Sequence, residues 1–126
     1  MSSFPAAVSK SHLDTRIKVA VAVNPELSTS FATESLSAIK VPVQVIALGP
    51  TNVDFQEHIP NARYAAISDA APFSAFSQCT SKAPALLAEE GEDDAICRDG
   101  GSRSREEIQA EIGSIIEAAL AAGFQE

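Results

Sequence analysis

Two histidines, two cysteines, six glycines and a scatter of carboxylates are the groups in this sequence with chemistry to offer. Serine hydrolysis needs a nucleophilic serine, a histidine that takes its proton and an acid that orients the histidine. In an α/β enzyme that serine sits in Gly-x-Ser-x-Gly, because the strained strand-to-helix turn tolerates only small neighbours. Among Gly49, Gly91, Gly100, Gly101, Gly113 and Gly123 no two have that spacing, so the elbow is absent from the sequence. His12 lies in a polar amino-terminal stretch, and His58 lies in "QEHIPNA" beside Glu57, where a surface imidazole is the ordinary reading. A phosphate cradle fails too: "ALGPTN" holds one glycine, and Pro50 removes an amide that an anion would use.

Cys79 and Cys97 are too few for a zinc site, and both histidines are far from them in sequence. Two outcomes stay open for them: a disulfide loop worth about 3 kcal/mol in the chain-entropy model, or two unpaired thiols. "RDGGSRSREE" places Arg98, Arg103 and Arg105 around Gly100 and Gly101 ahead of a helix start. It reads as a flexible linker leading into a capped helix, with anion binding as the alternative. The run "EEGEDD" lacks the alternating ligands and terminal glutamate of a calcium loop and reads as a solvated face. No metal or cofactor is expected.

These groups hang on a simple succession of elements. "IKVAVAV", residues 17–23, alternates Ile17, Val19, Val21 and Val23 with Lys18, Ala20 and Ala22, which predicts a strand stopped by "NPE". Phe31, Leu36 and Ile39 have helical spacing between Ser30 and Ile39, with Ser30 or Thr33 available as N-cap. "VPVQVIALG", residues 41–49, is a near-continuous apolar run, the pattern of a strand covered on both faces. A connection with room for one helical turn leads to a third strand, "ARYAAIS", at 62–68. Residues 77–103 are expected to be loop-rich. From Ser104, a capping box with Glu107 opens a helix whose Ile108, Ile112, Ile115, Ile116, Ala119 and Leu120 share a stripe, ending at Gly123 as its cap. The fold class is α/β, a single domain over 1–126 with a flexible start at 1–12, a small three-stranded, mainly parallel sheet and flanking helices.

With 126 residues the chain has room for one small core. A net charge of −8 and the absence of Lys/Arg clusters argue against nucleic acid. There is no apolar run long enough for a membrane span and no secretory signal, so the default expectation is a cytoplasmic chain, which a Cys79–Cys97 disulfide would shift towards an oxidising compartment.

The stretch "DTRIKVAVAVNPELSTSFATESLSAIKVPVQVIALG", then "HIPNAR" and "DAAPFSAFSQCT", resembles the region after the nucleophile in α/β-hydrolase-fold proteins of the dienelactone-hydrolase-like, predicted-lipase group. The likeness runs over roughly residues 13–124 and implies the carboxy-terminal half of such a domain, truncated before the serine elbow. Carried over residue by residue, the catalytic acid falls on Asn52, with Asp54 two positions late, and the histidine of the family's "A-G-H-F" falls on Pro72. Proline cannot move a proton. The resemblance therefore implies a non-catalytic binding or oligomerising module, whose first strand, through Ile17, Val19, Val21 and Val23, would pair with another copy or with a complementing chain. The alternative it leaves is the carboxy-terminal part of a serine ester hydrolase completed by a separate amino-terminal chain.

Overall fold

The computed structural model describes residues 10–26, 28–51 and 53–125. Three strands, β1 (Ala20–Val23), β2 (Val43–Leu48) and β3 (Ala62–Ile67), form one parallel sheet in the order β1-β2-β3. Helices α1 (Thr33–Ser37), α2 (Ala83–Glu89) and α3 (Arg105–Gly123) accompany them, so the α/β class expected from the sequence is present. The flexible start expected over 1–12 lies largely outside the described residues. Among the described residues no helix is long and apolar enough to cross a membrane.

β2 is buried along its whole length because both faces are covered. On one face Val43, Val45 and Ala47 pack with Leu36 of α1 and with Val53, Phe55 and Ile59. On the other, Ile46 and Leu48 join Ile67, Ala70, Ile108 and Ile112, flanked by Val21, Val23, Ile115 and Ile116. Val53, Phe55 and Ile59 belong to the β2–β3 connection, which contains a single 3₁₀ turn (Phe55–His58) and still returns the chain in parallel. A connection this lean covers β2 but leaves Tyr64 and Ala66 of β3 exposed on that face.

β1 begins later than the alternation of 17–23 predicts, and Pro42 explains why. The Ala20 amide donates to the Pro42 carbonyl, but the next bond down the parallel ladder would need an N–H on residue 42, which proline lacks. Ile17 is consequently half exposed, at 53%. At the other end Asn24 adopts a left-handed backbone (φ 46°) and turns the chain away. Its side-chain Oδ1 then accepts the Leu48 amide, taking the place of the backbone carbonyl that has left the ladder.

α3 matches its sequence pattern closely. Ser104 accepts the Glu107 amide while the Glu107 carboxylate accepts the Ser104 amide, the expected capping box. That amide holds the Glu107 carboxyl below its ordinary value. Two details differ. Leu120 is exposed, and Gly123 is the last helical residue rather than the cap, because a Cβ there would meet Val19 Cβ at 2.5 Å. The loop expected over 77–103 contains α2, which begins with a proline near its start and buries none of its residues; without an apolar stripe it left no helical signal in the sequence. α1 is shorter than the span Ser30–Ile39 and is preceded by Ala32, with no side-chain cap from Ser30 or Thr33.

Candidate functional site

In open parallel sheets ligands collect beyond the carboxyl ends of the strands. Here those ends are Asn24 after β1, Gly49 to Thr51 after β2 and the loop from Ser68 to Ser77 after β3. Gly49 has φ 69°, and a Cβ on it would lie 2.6 Å from the Ala70 carbonyl oxygen, so only glycine lets the β2 end pass under the β3 loop.

The 68–77 loop is held from three sides. Inside it, the Ser74 amide donates to the Ala71 carbonyl and the Ala71 amide to Ser74 Oγ at 2.8 Å. Ser74, fully buried, donates its own hydroxyl proton to Asp99 Oδ1 at 2.6 Å. The same Asp99 oxygen accepts from Arg105 Nε at 3.1 Å, and the two remaining arms of that guanidinium donate to the carbonyls of Ser77 and Arg98. At the loop's start, Asp69 receives two 2.6 Å bonds from Arg103, which also holds Glu111. The guanidinium of Arg103 holds the Asp69 carboxyl below the usual carboxylate range, and the two carboxylates hold the guanidinium protonated. From α3, Gln109 donates to the carbonyls of Ser74 and Phe76.

This arrangement replaces the flexible linker expected at "RDGGSRSREE". Arg98, Arg103 and Arg105 are each engaged by a carboxylate, Asp94, Asp69 and Asp99 respectively, so they form braces rather than an anion cradle. Part of the acidic run is used in the same way, since Asp93 accepts the Ala95 amide and Asp94 pairs with Arg98. Among the described residues no three His, Cys, Asp or Glu side chains are grouped to hold a metal ion.

Cys79 and Cys97 are bonded to each other, with Cα atoms 5.5 Å apart. Of the two open outcomes the geometry is that of a disulfide loop, which ties the end of the braced loop to the segment carrying Asp99. Reduction is expected to cost about 3 kcal/mol in the chain-entropy model. Thermal melts with and without reductant check this, and an unchanged midpoint would contradict it.

Bracing leaves the apolar side chains of the loop facing outward. Pro72, Phe73, Ala75 and Phe76 line an open cleft of about 470 Å³ with Val23, Asn24 and Glu26 at the end of β1. The rings of Phe73 and Phe76 sit 5.8 Å apart, and Phe76 is 57% exposed. Of the positions carried over by resemblance, Pro72 lines this cleft, Asp54 is exposed ahead of the 3₁₀ turn and is not among the cleft residues, and Asn52 lies outside the described residues. His58 closes that turn and His12 precedes β1, both exposed.

The outer edge of β1 is the other feature of this end of the sheet. Since the amides of Ala20 and Asn24 point to β2, those of Val21 and Val23 point the opposite way, towards the open edge. Comparison with protein-family models, with curated proteins and with solved structures found no match.

Proposed function

We propose that this chain is a non-catalytic α/β module that acts by association, pairing the open edge of β1 with another strand, and that it corresponds to the carboxy-terminal half of an α/β-hydrolase domain of the dienelactone-hydrolase-like group. The observation that carries the association is the edge itself: Val21 and Val23 direct their N–H groups outward beside an apolar cleft, with no charged side chain between Lys18 and Glu26 to repel a neighbour. The family reading draws support from three consecutive strands lying side by side in parallel, which brings the loops after β2 and β3 together as an acid loop and a histidine loop would be.

Within these 126 residues that plan lacks its proton carrier, because Pro72 falls at the histidine position, and a nucleophile, because no Gly-x-Ser-x-Gly is present among them. A second reading, completion by a separate chain bearing the nucleophile, is favoured by one observation: Pro72 faces the cleft at the open β1 side, where an added strand would bring its own loop. Assays with short p-nitrophenyl esters decide on activity. The wild-type chain and Pro72→His are both expected to give no hydrolysis above buffer, and turnover by either would overturn the non-catalytic reading of the isolated chain.

A further inference from the structure

We infer that the strand received by the β1 edge is β1 of a second copy of this chain, running antiparallel about a two-fold axis at Val21. This rests on the edge-pairing reading above and names its partner. Val21 and Val23 share the outward orientation, and continuing the strand alternation one step back gives it to Val19, so an axis at Val21 would pair Val21 with its equivalent and Val19 with Val23 of the other copy, each pair exchanging its N–H···O bonds. One step of register either way would leave outward amides facing carbonyl-free positions.

Charge selects the direction. The segment is basic at its start, with Arg16 and Lys18, and acidic just past its end, with Glu26, while every position between Lys18 and Glu26 is uncharged. Antiparallel pairing brings the basic start of each copy to the end where the other copy turns off at Asn24 towards Glu26, whereas parallel pairing stacks like charges. Arg16 is bonded to Asp14, and the exposed Lys18 ammonium donates to the Thr15 carbonyl.

The helix face beside the edge fits the same partner. An axis through paired antiparallel strands places both α3 helices on one side of the joined sheet. With strands about 4.8 Å apart and α3 seated over β1 and β2, the two helices run at roughly the 10 Å spacing at which helices pack. The surface α3 would offer holds Gly113, a residue unfavourable in a helix interior, with nothing within 4 Å of a Cβ built on it. Gly113 lines an open groove with Ile112, Ile116, Gln109 and Ala75, and Ala75 joins that groove to the cleft of Phe73 and Phe76. Among the described residues no contact accounts for a glycine there; close approach of a second helix does.

Sedimentation equilibrium over a range of concentrations tests this with three variants. Val21→Pro removes an outward N–H together with the partly buried Val21 side chain but leaves every bond of the intramolecular ladder in place, and it should raise the dimer dissociation constant at least about tenfold while circular dichroism melts show a folded chain. Glu26→Lys should weaken the dimer severalfold, and adding Lys18→Glu should restore it. A wild-type chain that stays monomeric at high micromolar concentration overturns the second copy alone. A dimer indifferent to Val21→Pro overturns the edge reading as well, and one indifferent to Glu26→Lys contradicts the antiparallel direction.

Discussion

Replacing Arg105 with alanine should destabilise the fold by about 3–5 kcal/mol, the cost of removing one member of a buried, hydrogen-bonded charge pair. The side chain is 4% exposed, and its guanidinium meets Asp99 and the carbonyls of Ser77 and Arg98. Its loss would strand the Asp99 carboxylate, which is itself only 17% exposed, and two carbonyls in a place water reaches poorly. Because Asp99 also anchors Ser74, the damage should spread to the loop lining the cleft. Against a typical total of about 5–15 kcal/mol, this is a large share of the stability, visible as a midpoint lowered by roughly 10 °C or more. The double variant Arg105→Met with Asp99→Asn should recover part of the loss, since the uncompensated charge is then gone. A single-variant loss below about 1 kcal/mol would show that the pair does not brace the loop.

The second large effect lies beneath it, at Ile108→Ala, expected to cost about 4 kcal/mol in denaturant titrations. Ile108 is fully buried and packs with Ile46, Leu48, Ile67, Ala70 and Ile112, the cluster through which α3 holds the sheet. Truncation removes apolar contact and leaves a cavity that a parallel strand bonded on both sides cannot collapse to fill. Leu120→Ala on the same helix, exposed in the structure, serves as the comparison and should cost well under half as much.

These two residues also mark where the sequence was readable and where it was not. Ile108 stands in a stripe with Ile112 and Ala119 after a capping box, and both signals are local, so the helix and its buried face follow from spacing. β2 is as legible, being an apolar run wide enough to need cover on both faces. Arg105 reads in the sequence as one of three arginines around two glycines, although it lies three residues before Ile108 and thus on the apolar stripe. A charge in phase with a buried stripe is the signal that a partner must exist, and it is visible in the sequence. Which partner it is could not be read, because Asp99 and Ser74 are brought to it only when the loop after β3 folds back. The alternation of 17–23 overstates β1 for the same kind of reason: the residue that ends its ladder, Pro42, lies just ahead of another strand. α2, which buries nothing, had no periodicity to display.

The candidate site divides along the same line. Its degenerate catalytic positions come from resemblance, while the cleft formed by Val23, Pro72, Phe73 and Phe76 depends on tertiary bracing that no local pattern encodes.

If β1 uses its open edge, amide hydrogen exchange measured against protein concentration reads the pairing at the atoms concerned. The Ala20 and Asn24 amides, bonded to Pro42 and Ile46 within the chain, should exchange at rates independent of concentration. Those of Val21 and Val23 should exchange quickly when dilute and gain protection as concentration rises, in step with dimer formation. Outward amides that stay unprotected at every concentration, while the chain remains folded, would contradict pairing through that edge.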